Sequence, residues 1–420
     1  MTSKESNKEA FVWIWLPKET QPVVAGKLED DNGNILFNYG KSYLERINDT
    51  NPAISIYEPE LPLKYGVLPL LDGLSMPSCI RDSAPDAWGR RVIINKKLGR
   101  KGKDTDTDDL GELTYLLESG SDRIGALDFQ ASPTEYVPRS ASNVRLEELL
   151  ESAERVEKGV PLTAELDQAL FYGSSIGGAR PKALIEDKGT KYVAKFSSSA
   201  DIYSLVKAEY IAMRLAALAG LDVASVKMTQ AANKDVLLIE RFDRQPSVSG
   251  WTRRSMVSAL TMFGLNDMTA RYASYEDLAE IIRYRFTEPK KTLNELFSRL
   301  VFNILCGNTD DHARNHAAFW DGKELTLTPA YDICPQGRTG NEASQAMKIS
   351  GGNNLSKLNV CLEAAHHFML SQEEAKKIFQ QIESAIREHW DEVCAEAQLS
   401  EVDKNLLWGR QFLNPFSFDK

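Results

Sequence analysis

Disulfide chemistry has little to work with in this chain, which holds five cysteines, at positions 79, 306, 334, 361 and 394. They are odd in number, widely scattered and never spaced as Cys-x-x-Cys, so neither a disulfide framework nor a zinc ribbon is indicated and a reducing compartment fits. Long apolar runs are also missing. No stretch approaches the roughly 18 uninterrupted apolar residues of a membrane span, and the polar start at residues 1–8 lacks the apolar centre of a signal peptide; a cytoplasmic protein with no membrane partner is expected. Positive charge is in deficit, with 50 Lys and Arg against 60 Asp and Glu, a net charge of −10 and a pI near 5.3. Bulk attraction to nucleic acid is therefore not expected, and any DNA contact would need a partner to supply the basic surface. Internal repeats, low-complexity tracts, Gly-x-Gly-x-x-Gly and Walker loops are absent. The acidic run at 104–109 lacks the sixth-position glycine and the terminal glutamate of an EF-hand, which leaves it as a solvated loop before a helix at 110–117.

What is present suits a soluble protein of two or more cores: 420 residues, 42% hydrophobic and 26% charged. The first third reads as short strands, at 11–16, 23–28 and 35–39, with Asn32-Gly33 as a turn. Prolines at 59, 62, 69 and 77 break the next segment, and a helix is expected to open near 82–85. An amphipathic helix follows at 144–158. Strands are expected at 183–185, 191–196 and 236–240, with a helix over 201–215 stopped by Gly220. From 254 the pattern turns helical, at 256–263, 275–286 and 293–305, and Ser371 with Glu374 forms a capping box for the last long helix. Residues 246–250, with Pro246, Ser247, Ser249 and Gly250, read as a boundary between lobes. His366, His367 and His389 belong to no ligand constellation.

The densest polar cluster is residues 306–315, between the apolar end of a helix and a hairpin whose turn is Asp321-Gly322. Phosphoryl transfer needs a carboxylate to orient and deprotonate the attacking hydroxyl, an amide oxygen and a second carboxylate for magnesium, and a lysine for phosphate oxygens. In a kinase catalytic loop four residues separate the base aspartate from the metal asparagine. Asp310 and Asn315 have that separation and Asp311 does not, so Asp310 is expected to be the base and Asp311 a surface neighbour. His312 is expected to brace the loop by hydrogen bonding, and Asp332 stands where the metal aspartate belongs. Upstream, Lys195 closes a strand and Glu209 lies in the following helix, the order of the lysine–glutamate ion pair that holds phosphates in kinases. The small-residue segment 171–182 precedes them, and 236–244 is placed to cross between lobes. A transition-metal site of Asp310, His312, His316 and Asp332 is the competing reading, but it leaves Lys195 and Glu209 without a role.

Taken together, residues 175–182, 192–196, 239–244, 307–315 and 329–332 resemble the HipA family of bacterial serine/threonine kinases, the toxins of toxin–antitoxin pairs. Residues 22–26, 60–63 and 125–129 resemble the family's N-terminal subdomain. The resemblance implies an α+β, two-lobed, protein-kinase-like fold with a β-rich N-lobe and a helical C-lobe. It divides the chain into an N-terminal subdomain at 10–132, a nucleotide-binding part at 165–245 and a helical lobe at 246–420. It implies ATP and Mg2+ as cofactors, Asp310 as catalytic base, and Asn315 and Asp332 as metal ligands. Gly177, Gly178, Ala179, Arg180, Pro181, Lys182 and Lys195 would bind phosphates; Glu240, Arg241, Phe242 and Asp243 would form the adenine hinge, with His312 and Tyr331 also at the nucleotide. Ser175 aligns with the family's autophosphorylated serine, and Ser174 is its neighbour. The family also implies a HipB-like helix-turn-helix antitoxin, DNA contact only through it, and a protein substrate of the aminoacyl-tRNA synthetase class, notably the glutamyl enzyme. Arg253 and Arg254 stand where some members carry an acidic segment. A small-molecule phosphotransferase of the same fold and a pseudokinase co-repressor are the alternative functions.

Overall fold

The computed structural model describes residues 7–98, 110–140, 145–157, 180–197, 203–338 and 340–419. Alternating burial along Asn34–Tyr39 shows period-two apolar residues covering one face of a sheet, whereas Glu9–Ile14 is buried throughout its last three residues. Five strands lie in the order Val67–Leu68, Asn34–Tyr39, Val23–Asp31, Glu9–Ile14, Leu127–Gln130, and every neighbouring pair is antiparallel. Asn32 and Gly33 both take positive φ, as a tight hairpin turn requires.

A second set of antiparallel strands holds Lys182–Asp187 against Thr190–Phe196 and the latter against Lys234–Glu240. Its apolar face, with Ala183, Ala194, Phe196, Val236 and Leu238, shares one core with Trp88 and Val92 of the helix Ala87–Leu98 and Leu149, Leu150 and Ala153 of the helix Leu146–Glu157. The C-terminal part is mostly helical. The helix Pro289–Cys306 is apolar on nearly every side in its last two turns and is buried there. The helix Gln372–Glu396 opens with the expected capping box at Ser371 and Glu374, and its Glu396 binds Tyr210 at 3.0 Å and Arg214 at 3.0 Å on the helix Leu205–Leu218. Among the described residues no helix is long and apolar enough to cross a membrane, and the five cysteines are free thiols.

The chain divides into two compact units. The first takes residues up to 198 with 230–257 and 320–323; the second takes 199–229, 258–319 and 324–420.

Three local expectations are corrected. The helix anticipated near 82–85 runs from Ala87, because Asp86 accepts from the N–H groups of Trp88 and Gly89, each at 3.1 Å. Residues 256–258 belong to the strand Ser255–Ser258, and the helix begins only at Ala259, where the Ser258 hydroxyl caps Thr261 N–H. The hairpin joining Ala317–Trp320 to Leu325–Leu327 has four connecting residues, not two, tightened by Lys323 N–H donating to Asp321 Oδ1 at 2.9 Å. Residues 246–250 lie within a hairpin of Arg244–Ser247 and Gly250–Arg253. The acidic run 104–109 lies outside the described residues.

Candidate active site

The loop that carries Asp310 starts where the helix Pro289–Cys306 is forced to stop. Gly307 takes φ +75° and ψ 23°, the left-handed conformation that ends helices. It is constrained twice, since a Cβ there would lie 2.7 Å from the Gln411 carbonyl oxygen. Gly307→Ala is expected to cost at least about 1–2 kcal/mol from the left-handed backbone alone, with the clash added, read as a lower urea midpoint than wild type. Beyond Gly307, Asn308 N–H donates to the Asn303 carbonyl at 2.8 Å and its side-chain amide to Asn303 Oδ1 at 3.1 Å. Gln336 N–H reaches the Gly307 carbonyl at 2.9 Å, tying the segment after Asp332 to the same turn.

Asp311 is a correction. Expected at the surface, it is 1% exposed. His316 Nε2 lies 2.9 Å from one carboxylate oxygen, and the Tyr275 hydroxyl donates to the other. Burial alone would raise its pKa; His316, Tyr275 and a hydrogen bond with Asn303 outweigh this and hold it below the usual carboxylate range. His316, and not His312, is therefore the histidine that braces the loop, and Nδ1 of His312 has no hydrogen-bond partner. Among the described residues no group of three or more His, Cys, Asp or Glu is gathered for a metal.

With Asp311 anchored inward, Asp310 faces solvent. Its carbonyl accepts from His312 N–H at 3.0 Å and from the Asn315 side-chain amide at 3.1 Å, so the asparagine is oriented by the residue whose spacing singled it out. Tyr331, predicted at the nucleotide, donates its hydroxyl to the Arg314 carbonyl at 2.7 Å and so supports the loop. Asp332 holds φ +59°. A non-glycine residue in that region is strained, and such strain collects at functional positions.

Asp310 has a raised pKa, first from partial burial and then from the like charges of Asp332 and Asp311, with His312 opposing. Two carboxylates that repel each other, beside an amide oxygen, form an oxygen-only donor set suited to a hard cation. Magnesium commonly uses one or two carboxylates and leaves its remaining positions to water and phosphate, so the residues fit the ion. Asp332→Asn removes one repelling charge and is expected to lower the Asp310 pKa in magnesium-free protein, as followed by NMR titration of the carboxyl carbons.

Most of the remaining predicted residues belong to the first unit. Lys182 and Lys195 are direct partners across two antiparallel strands, which puts both side chains on one face of the sheet. Lys182 is buried, with its ammonium 3.8 Å from Asp86, whose carboxyl burial pushes up to about 6. Pro181 accepts from Phe196 N–H at 3.3 Å, and Arg180 is exposed. Glu209 is buried in the helix Leu205–Leu218 of the second unit. Ser174, Ser175, Gly177, Gly178 and Ala179 lie outside the described residues.

The segment Glu240–Asp243 behaves differently from the expectation of a bare hinge. Glu240 is exposed at the end of its strand, and Arg241 N–H continues the ladder to the Lys191 carbonyl at 2.9 Å. The side chains of Arg241 and Asp243 bind each other at 2.8 Å inside a buried ionic network, so they serve the scaffold. Arg253, from the segment that departs from the family pattern, stacks 3.3 Å over Trp15 and donates to the Ser121 carbonyl at 2.8 Å. Sequence reading missed Asp122, Tyr275 and Asn303, and named His316 only as a ligand of the competing metal site.

The HipA-like C-terminal domain matches residues 174–390 and the HipA N-terminal domain matches residues 18–130. The chain belongs to the HipA family. The Sinorhizobium fredii protein Y4mE is 31% identical over 131 residues, 30% of this chain and 31% of its own. The serine/threonine-protein kinase toxin HipA of Shewanella oneidensis is 25% identical over 187 residues, 38% of this chain and 42% of its own. These matches thus span less than half the length of either relative. The fold is similar to HipA in a Shewanella oneidensis MR-1 complex of HipA, HipB and operator DNA, with a TM-score of 0.68 and 19% identity over 92% of both chains.

Proposed function

We propose that this chain is a magnesium- and ATP-dependent serine/threonine protein kinase that acts as the toxin of a toxin–antitoxin pair. The observation that carries the reading is the Asp310 loop: an exposed carboxylate separated by four residues from an asparagine oriented on its own carbonyl, with a strained Asp332 close enough to raise its pKa. Asp310 orients the attacking hydroxyl and takes its proton as the oxygen bonds to the γ-phosphorus and ADP leaves. Asn315 and Asp332 hold magnesium, which neutralises charge on the phosphates. Lys195 and Lys182 bind phosphate oxygens, a role that the family resemblance extends to residues 177–181. Glu240 to Asp243 meet the adenine, chiefly through the backbone. Glu209 is the partner proposed for Lys195.

The substrate is a protein serine or threonine, and the family resemblance directs the search to aminoacyl-tRNA synthetases. Phosphate on Ser175 places about two negative charges beside the nucleotide phosphates and silences the kinase by repulsion. A HipB-like helix-turn-helix antitoxin supplies the basic surface that an acidic chain of net charge −10 lacks, and DNA is met only through it. Incubation of cell lysate with the protein, Mg2+ and γ-labelled ATP, followed by phosphoamino-acid analysis, tests the reading. Phosphoserine or phosphothreonine on a protein supports it. Label found only on small alcohols would assign a small-molecule phosphotransferase, and no transfer at all would leave the pseudokinase co-repressor.

A further inference from the structure

The buried ionic network of the first unit joins a loop of the N-terminal domain to the segment proposed to meet adenine. Asp122 lies in the turn between the helix Glu112–Glu118 and the strand Leu127–Gln130. One of its carboxylate oxygens accepts from Arg241 Nη1 at 3.0 Å and from Arg244 Nε at 2.9 Å; the other accepts from Lys191 Nζ at 2.6 Å. The neighbouring backbone takes up the rest of both guanidinium groups. Arg241 donates to the Asp122 carbonyl at 3.1 Å and the Arg123 carbonyl at 2.6 Å, and Arg244 donates to the Gly125 carbonyl at 2.8 Å. Gly125 N–H returns a bond to Asp243 Oδ2 at 2.8 Å. The contacts of Arg241, Asp243 and Arg244 link residues 118–122 positions apart in the chain.

Charge balance makes Asp122 the decisive member. Arg241, Arg244, Lys191 and Arg253 converge there, while Asp243 is the other carboxylate that binds Arg241 and Arg244. Burial would raise the Asp122 pKa, but these cations hold it well below the usual carboxylate range. Arg241 and Arg244 are almost wholly buried, where an uncompensated charge is costly. Asp122 also grips two adjacent strands at once: Lys191 lies on Thr190–Phe196, which carries Lys195, and Arg241 directly follows Lys234–Glu240.

We infer that Asp122 is a positioning residue for nucleotide binding, through which the N-terminal domain fixes residues 240–243 relative to the strand of Lys195. The inference rests on the kinase reading above, since it needs those residues to meet ATP. Without the Asp122 charge, Arg241 and Arg244 keep Asp243 as their one carboxylate partner and the 240–244 turn moves, so the loss falls on ATP affinity and not on the chemical step.

The test uses full-length wild type, Asp122→Asn and Lys191→Gln. Calorimetry gives Kd for ATP with Mg2+, and the labelling rate at saturating ATP separates binding from chemistry. Asp122→Asn is expected to weaken ATP binding about tenfold with the saturated rate within about twofold of wild type, because small displacements of a binding segment act strongly on affinity. A role confined to stability would lower the melting temperature and leave Kd unchanged. Folded Asp122→Asn protein that binds ATP as wild type does overturns the inference. Should that variant not fold, Lys191→Gln decides: binding weakened about threefold or more supports the coupling, and unchanged binding overturns it. Failure of wild type to bind ATP overturns the kinase reading itself, and this inference with it.

Discussion

Replacing Asp311 by alanine is expected to destabilise the protein by about 3–5 kcal/mol, the range for removing one partner of a buried ion pair. The carboxylate is 1% exposed and sits between His316 and Tyr275, both themselves buried. Alanine would take from His316, Tyr275 and Asn303 the carboxylate they share in a buried site, leaving the phenol and imidazole their 3.2 Å contact with each other, and buried polar groups that lose a partner carry a desolvation cost. Asp311→Asn should cost less, because its amide oxygen can still accept from Tyr275. The sign of the pH effect follows from the depressed pKa. The stability that Asp311 contributes is fully present above its unfolded value, about 3.9, and is lost as the pH falls through the lower folded value. Urea unfolding of wild type and Asp311→Ala at neutral pH and again in acid measures both: the gap between the two proteins should close at low pH.

Asp310→Asn is expected to slow phosphoryl transfer by about 10²–10⁴-fold, the usual contribution of a positioned general base. Affinity for ATP should stay within about threefold of wild type, since the lost interaction is with the attacking hydroxyl and its proton. The neighbouring aspartates thus separate cleanly: one substitution removes stability, the other removes turnover and leaves the fold. Their orientations explain the difference. Asp311 faces the helix Tyr275–Arg285 and is buried, whereas Asp310 is exposed and feels the negative charge of Asp332.

Elements governed by near neighbours were legible in the sequence. The Asn32-Gly33 turn, the Ser371 capping box and the helix stop at Gly220 each depend on a few adjacent residues. The spacing of Asp310 and Asn315 was equally local, and the HipA resemblance rested on such short motifs. Interactions over long separations were not legible. Asp311 finds Tyr275 36 residues away, and Arg241 finds Asp122 119 residues away. No periodicity predicts that a charged residue beside a catalytic loop turns inward, or that an arginine in a supposed hinge becomes scaffold. One misplaced boundary had a local cause instead: at residues 256–263 the apolar pattern suited a helix, but the Ser258 cap starts it only at Ala259.

The most direct test of the central claim is transfer of label from γ-labelled ATP by purified wild type and Asp310→Asn, each with and without Mg2+, with the labelled residues located by mass spectrometry. The account predicts phosphate on serine or threonine only when both Asp310 and Mg2+ are present. Equal labelling of the two proteins, or labelling indifferent to Mg2+, would contradict it.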